Sequence, residues 1–128
     1  MEMSLRAVDG VVIVDVAGRL TVDSCVERPL ARMIERLLAD GKRQFLLNFE
    51  STTHIDSMGL ADLLDAYRAV KRDDGQLKLE CVTRHVDELL RVTGVARILE
   101  CHYVEADAVA SFQPAGRSTR GALRLVKS

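Results

Sequence analysis

Asp56 and Ser57 are the residues of this chain whose types and position are best suited to chemistry. They stand between an apolar strand and an amphipathic helix, and Gly59 follows two positions after the serine. A carboxylate or hydroxyl at that point is an ordinary helix N-cap, since it accepts hydrogen bonds from free first-turn amides. The same amides and the positive end of the helix dipole favour a phosphate. Ser57 is therefore open to three interpretations: a cap, a nucleophile, or a phosphorylation site that switches a binding surface.

A catalytic serine is the weakest of the three interpretations. A nucleophile elbow has the pattern Gly-x-Ser-x-Gly, and this chain has Ile55 at the first glycine position. His54 is only three residues from the serine, and the other two histidines, His85 and His102, stand alone in their segments. The His and Cys spacings match no metal site, and there is no glycine-rich phosphate loop. We therefore expect a binding module that is not an enzyme and has no catalytic residue, metal or cofactor.

Two details favour a role beyond capping. Asp56 and Ser57 together offer more capping capacity than one helix end needs. Gly59 in the first turn costs roughly 0.5–1 kcal/mol of helix stability relative to alanine, yet it leaves the backbone beside the serine bare. We expect a partner to approach closely there. A phosphate on Ser57 would add about 1.5–2 negative charges and repel that partner.

Composition restricts the chain to a single small domain without a nucleic-acid surface. Its 128 residues and 48% hydrophobic content suit one core, and with no Trp, two Tyr and three Phe it lacks aromatic stacking platforms. All 19 Asp and Glu residues lie within 1–112, which makes the body acidic. Residues 113–128 hold four basic residues and no acid. We predict a flexible basic tail there, after a domain at 3–112.

Three features indicate a cytoplasmic protein without a membrane span. No apolar run approaches the ~20 residues that a membrane helix needs. The first residues, Met1 to Arg6, lack the basic start and long apolar stretch of a secretory signal. The cysteines Cys25, Cys81 and Cys101 are odd in number and widely spaced, which is typical of reduced thiols.

Hydrophobic periodicity predicts that a hairpin opens the chain and a helix follows. Residues 3–8 and 11–16 are predicted strands, joined by an Asp-Gly pair that strongly favours a hairpin turn. An apolar stripe at helical spacing then predicts a helix that Asp23 or Ser24 caps and Gly41 ends. The stripe consists of Leu30, Met33, Ile34, Leu37 and Leu38.

The rest of the domain is predicted to alternate between strands and helices. An opening hairpin followed by strand–helix crossovers indicates an α/β fold, with a mixed, partly parallel sheet of about five strands and helices packed over it. The predicted elements are a central strand at 45–49, a polar turn at 50–53, a helix from about Ser57 to Lys71, a strand at 77–82, a helix capped by Thr83 and stopped by Gly94, a short strand at 99–104 and a short helix at 106–112.

In this order of elements the chain resembles the STAS-domain family, specifically the bacterial anti-sigma factor antagonists. The likeness covers roughly residues 3–112 and implies the STAS fold. The segments that carry it are Gly18-Arg19-Leu20-Thr21, Phe45-Leu46-Leu47-Asn48-Phe49, Ile55-Asp56-Ser57-Met58-Gly59-Leu60 and Gly75-Gln76-Leu77-Lys78-Leu79.

The resemblance implies a regulatory protein without catalytic activity. Such proteins bind an anti-sigma factor that is also a serine kinase with a histidine-kinase-like ATPase fold, and binding frees the sigma factor. The kinase phosphorylates the motif serine, here Ser57, which abolishes binding, and a PP2C-type phosphatase reverses the modification. The implied partner-binding residues are Thr21, Asp23, Asp56, Ser57, Met58, Gly59 and Leu60.

The resemblance also leaves alternatives open. Relatives that are good kinase substrates often carry Asp where this chain has Thr21, and Asp23 lies two positions later. STAS domains also serve as non-catalytic subunits of stressosome-like scaffolds and of lipid-transport ATPase complexes, and the motif does not separate these roles. A monomer and a weak homodimer are both compatible with the sequence.

Overall fold

The hairpin predicted at the start of the chain opens the sheet. In the computed structural model, which describes residues 1–80 and 82–112, β1 (Glu2–Val8) pairs antiparallel with β2 (Val11–Leu20). Both residues of the Asp-Gly turn have positive φ, the conformation that a two-residue hairpin of this type requires. The predicted tail at 113–128 lies outside the described residues.

The chain then alternates between helices and parallel strands. Its sheet has the spatial order β1-β2-β3-β5-β6, and β4 pairs with β2 off this path. The predicted mixed α/β sheet is confirmed, with six strands where about five were expected. The elements after the hairpin are α1 (Val22–Cys25), α2 (Pro29–Ala39), β3 (Gln44–Asn48), β4 (Thr52–Ile55), α3 (Ser57–Arg72), β5 (Gln76–Glu80), α4 (Arg84–Val92), a 3₁₀ turn (Val95–Arg97), β6 (Cys101–His102) and α5 (Glu105–Ala110).

The helix predicted after the hairpin is two helices. Thr21 is the N-cap of α1, so the expectation that Asp23 or Ser24 would cap it was wrong. A second helix begins at Pro29, where the fixed φ of proline suits the first helical position. The residue before it, Arg28, has a left-handed φ of 56°, and this turn of the backbone separates the two helices.

The strand β4 replaces a predicted polar turn. Thr52 and Ile55 are buried, whereas Thr53 and His54 between them are exposed. This pattern does not alternate, so local periodicity did not indicate a strand. The strand β4 forms because β2 extends past its predicted end and its last residues pair in parallel with β4. The register shifts between Gly18 and Arg19.

The sheet has a large core on one face and a small one on the other. Helices α1 to α4 contribute to the large core, which includes Leu30, Ile34, Phe45, Leu47 and Leu63. The small cluster lies under α5 and consists of Val11, Ile13, Leu46, Ala108 and Phe112. Only Cys101 and His102 of the strand predicted at 99–104 pair with β5, because the 3₁₀ turn precedes them. None of the described helices is long and apolar enough to cross a membrane.

Candidate functional site

The carboxylate of Asp56 closes the N-terminus of α3 and joins it to α1. Its Oδ1 atom accepts hydrogen bonds from the backbone amides of Met58 at 2.9 Å and Gly59 at 3.0 Å. Its Oδ2 atom accepts one from the amide of Val22 at 2.9 Å. These amides, Gly59 first among them, lower the pKa of Asp56 because they stabilise the charged form. The Asp56 side chain therefore fixes the starts of α1 and α3 relative to each other.

Ser57 is left with an exposed hydroxyl at the first position of α3. Asp56 performs the capping, and within the described residues the Ser57 hydroxyl makes no hydrogen bond to another protein group. Among residues 1–80 and 82–112, no base is hydrogen-bonded to it either. The ring of His54 contacts that of His85 edge-on, with centroids 5.8 Å apart. Nucleophilic serines are activated by a base within hydrogen-bond reach, and the described residues place none at Ser57.

Gly59 has a different neighbour from the one that the sequence suggested. A Cβ atom at this position would lie 2.0 Å from the carbonyl oxygen of Leu20 and 2.7 Å from its carbonyl carbon. The end of β2 thus occupies the space beside the backbone of Gly59, and the residue is buried. The glycine serves close packing of α3 against β2, which holds Ser57 at a fixed distance from α1.

The loop after β2 presents Asp23 and keeps Thr21 inside. Thr21 is only 9% exposed. Its amide donates to the hydroxyl of Ser24 at 3.3 Å, and that hydroxyl donates to the carbonyl of Arg19 at 2.7 Å. Asp23 is exposed in the first turn of α1. Asp23 therefore has an exposed carboxylate at the start of α1, and Glu27, whose side chain is 84% exposed, has another shortly after the end of this helix.

Apolar side chains surround this polar centre on the surface. Val22 is 50% exposed, Val26 60% and Met58 37%. α1 packs against α3, and we use the name motif face for the exposed residues at the starts of these two helices together with Val26, which follows α1: Val22, Asp23, Val26, Ser57 and Met58. Of these residues, the sequence analysis singled out Asp23, Ser57 and Met58 and did not single out the two valines. The sequence feature that could have indicated these two residues is their i, i+4 spacing in a segment that was predicted to begin a helix.

Leu60 points into the fold and does not join the motif face. It is partly buried and packs against the large core. Of the seven residues that the resemblance implied as contacts, Thr21, Gly59 and Leu60 support the site from within. Asp56 lies at the junction of α1 and α3. The three exposed residues among the seven are Asp23, Ser57 and Met58.

Asp62 is a supporting residue that the sequence did not reveal. It lies on α3, is only 1% exposed, and accepts hydrogen bonds from the amides of Leu30 at 3.0 Å and Ala31 at 2.9 Å. Burial raises the pKa of its carboxyl group. These bonds occupy free amides at the start of α2, so α3 holds the starts of both α1 and α2. An acid between Ala61 and Leu63, on a helix with an apolar face, was the available signal.

Metal ligation is not supported in the described part of the chain. Among residues 1–80 and 82–112, no group of three His, Cys, Asp or Glu side chains is arranged to hold a metal ion.

Two cysteines in the described part of the chain are free thiols. Cys25 is buried, and burial raises the pKa of its thiol; Cys101 lies at the start of β6.

Comparison with known proteins gives a consistent family. The sequence matches the family model described as STAS domain over residues 2–108. It is similar to the anti-sigma-B factor antagonist of Staphylococcus aureus strain NCTC 8325 / PS 47, with 27% identity over 86 residues, which cover 67% of this chain and 78% of that protein.

Two solved structures illustrate the likeness of fold. An anti-sigma factor antagonist from Mycobacterium paratuberculosis has a TM-score of 0.72 at 19% identity, covering 86% of this chain and 92% of that one. The phosphorylated form of the Bacillus cell fate determinant SpoIIAA has a TM-score of 0.65 at 17% identity, covering 85% and 97%. At these identities the structures support the fold alone. Together with the match over residues 2–108, they show that the chain belongs to the STAS-domain family.

Proposed function

We propose that this protein is a non-catalytic anti-sigma factor antagonist whose binding is switched off by phosphorylation of Ser57. Its partner is an anti-sigma factor that is also a serine kinase with a histidine-kinase-like ATPase fold, and binding frees the sigma factor in the cytoplasm. A PP2C-type phosphatase resets the switch. Similarity to the Staphylococcus aureus antagonist supports this choice of partner class.

One observation carries the proposal: Asp56 takes the capping role and leaves the Ser57 hydroxyl exposed on an apolar face. Since the first-turn amides of Met58 and Gly59 are already occupied by Asp56, a phosphate on Ser57 would remain on the surface beside that carboxylate. Its charge would then lie among Val22, Val26 and Met58, where a partner makes apolar contact. Placing about 1.5–2 charges in such an interface disrupts it through desolvation and repulsion.

The exposure of Asp23 bears on phosphorylation. The position at which efficient kinase substrates of the family carry an acid is Thr21 in this chain, and Thr21 is buried. Asp23 follows Val22, whose amide is hydrogen-bonded to Asp56 next to Ser57, and its side chain is exposed. We propose that Asp23 supplies the acidic contact to the kinase.

The proposal is tested by incubating the full chain with the anti-sigma kinase of its own organism and ATP, then locating phosphate by mass spectrometry. We expect one phosphate, on Ser57, and none in Ser57→Ala. Ser57→Asp should weaken binding at least tenfold. The matched control is Ser51→Asp, which changes an exposed serine in the turn before β4 and should bind as the parent does.

Two results would contradict the proposal. One is phosphate on another residue while Ser57→Asp binds normally. The other is failure of the kinase to bind while a membrane ATPase or a large STAS assembly is captured, which would instead support the scaffold or transporter role. Asp23→Asn should lower the rate of phosphorylation without altering the fold, and an unchanged rate would remove Asp23 from the proposed contact.

A further inference from the structure

The short helix α5 is the element that covers the small apolar cluster on the second face of the sheet. Ala108 of α5 and Phe112, two residues beyond its end, are buried in this cluster with Val11, Ile13 and Leu46. Val109 of α5 is partly buried against it. An isolated helix of six residues is far too short to be stable in water. The position of α5 therefore depends on what holds its two ends.

Arg6 holds the N-terminal end. Its guanidinium donates to both oxygens of Asp15, at 2.6 and 2.8 Å, and to both oxygens of Glu105, at 2.7 and 3.0 Å. Arg6 lies on β1, Asp15 on β2, and Glu105 is the first residue of α5. Bidentate contacts of this kind are the stronger class of ion pair. They lower the pKa of both carboxyl groups, and a side-chain hydrogen bond between Glu105 and the buried Glu80 further lowers that of Glu105.

Lys78 holds the C-terminal end. Its ammonium group donates to the carbonyl oxygen of Ser111 at 3.0 Å and to the hydroxyl of the same residue at 2.9 Å. It also lies 4.8 Å from the centre of the Phe112 ring and 3.2 Å from a carboxylate oxygen of Glu100. A cation at the end of a helix compensates its free carbonyl groups.

The two cations belong to one row of the sheet. Arg6 is opposite Ile13, Ile13 is opposite Leu46, and Leu46 is opposite Lys78. Across four strands this row therefore consists of a cation, two apolar residues and a second cation. α5 lies over the two apolar residues. Polar contacts therefore secure α5 at its ends, whereas the apolar side chains that the helix itself packs on the sheet are Ala108 and the partly buried Val109.

We propose that α5 is a strap that opens as a unit, independently of the rest of the domain, and that Arg6 and Lys78 are its two latches. Opening uncovers an apolar strip of sheet formed by Val11, Ile13 and Leu46, on the face opposite the large core. Regions with few buried contacts open at lower free energy than the core. Groups that compete for Arg6 or Lys78, such as anions at high salt, shift α5 toward the open form. This device does not depend on the proposed function.

Amide hydrogen exchange of the full chain, followed by NMR, tests the strap. The reporters are the amides of Ala108, Ser111 and Phe112, which donate to carbonyls within α5 and its flanks. We expect them to exchange at least a hundredfold faster than the amides of Leu47 and Leu79. Arg6→Met and Lys78→Met, which keep most of the apolar stem, should each accelerate the reporters about tenfold further while core amides change less than twofold.

Arg32→Met is the matched control, because it removes an exposed ion pair with Glu27 far from α5. It should leave the reporters unchanged. Equal exchange rates for α5 and the core in the parent protein would show that α5 opens only with global unfolding, which overturns the proposal. So would latch variants whose reporters behave as in Arg32→Met. Unchanged core amides in the latch variants exclude simple misfolding as the cause of faster exchange.

Discussion

At the level of single residues, Asp56 determines which hydroxyl is available. The sequence offered Asp56 and Ser57 as equivalent caps, and three backbone amides converge on the carboxylate. Two of those amides come from the expected helix turn. The third, from Val22, is 34 positions away in sequence. Ser57 owes its free hydroxyl to this geometry.

The lowered pKa of Asp56 predicts how the junction of α1 and α3 responds to acid. A carboxyl whose pKa is lower in the folded state stabilises the fold at pH values above the usual aspartate range. That stabilisation is lost as the pH falls through the lower, folded-state pKa. The amide NMR signals of Val22, Met58 and Gly59 should therefore shift together, with one midpoint below the usual aspartate range. In Asp56→Asn this shared transition should vanish, and separate midpoints in the parent would refute the shared cap.

Replacing Gly59 or Gly41 by alanine should destabilise the fold for two different reasons. Gly59 has ordinary helical geometry, but its Cβ would meet the Leu20 carbonyl at 2.0 Å. Gly41 has open space but a φ of 92°. We expect Gly59→Ala to lower the free energy of unfolding by about 3 kcal/mol through overpacking, and Gly41→Ala by about 1 kcal/mol through backbone strain. Urea unfolding measures both, and equal losses would be inconsistent with the close approach of α3 to β2.

At the level of elements, α3 organises the helices around the site. Asp56 takes the first amide of α1, and Asp62 takes two early amides of α2. Asp56 is the N-cap of α3 and Asp62 lies six residues later within the helix, so the two carboxylates occupy different points along its axis. The exposed residues Val22 and Asp23 of α1 are thereby positioned by a helix that begins 35 residues later in the sequence.

Asp62→Ala should destabilise α2 and through it the whole domain. Removing a buried acceptor leaves two helix amides without a partner, which costs about 2 kcal/mol. Asp65→Ala is the control, because it removes a carboxylate one turn further along α3 that makes only surface ion pairs with Arg28 and Arg68. That change should cost less than about 1 kcal/mol. Thermal unfolding of both variants decides the matter, and similar losses would contradict a specific role of Asp62.

At the level of the whole molecule, one strand serves two unequal cores. Leu46 and Leu47 are neighbours on β3 and both are 0% exposed, yet they face opposite sides of the sheet. The large core contains side chains from α1 to α4. Among the described residues, the small cluster is closed by α5 and by Phe112, which follows it. Stability and local opening should accordingly separate between the two faces.

Matched truncations of these two leucines test that separation. Leu47→Ala should lower the free energy of unfolding by about 3–4 kcal/mol, because the surrounding core cannot collapse into the cavity. Leu46→Ala should cost less, about 2 kcal/mol, and should accelerate exchange of the α5 amides more strongly than Leu47→Ala does. Urea unfolding combined with hydrogen exchange measures both effects. An identical response of α5 to the two truncations would mean that the cores act as one unit.

Local pattern was sufficient for much of this fold. The apolar stripe from Leu30 to Leu38 predicted α2, the short apolar run at 45–49 predicted the central strand, and the hydroxyl at the start of α3 was placed correctly. Periodicity succeeds in these cases because each element buries one face or both faces along its length. It failed for β4, whose middle residues are exposed, since only pairing with the extended end of β2 makes that segment a strand.

The sequence by itself determined which residues lie on which face of most elements, and with them the fold class, and it singled out the candidate serine. Only the tertiary structure decided what those faces meet. It brought Asp56 to Val22, Gly59 to Leu20, and Arg6 to Glu105, which are 99 positions apart. The physical reason is that periodicity records burial but carries no information about the partner. From the sequence, a carboxylate that caps a helix cannot be told from one that does not. A glycine that leaves room for a partner likewise cannot be told from one that allows two elements of the fold to pack closely.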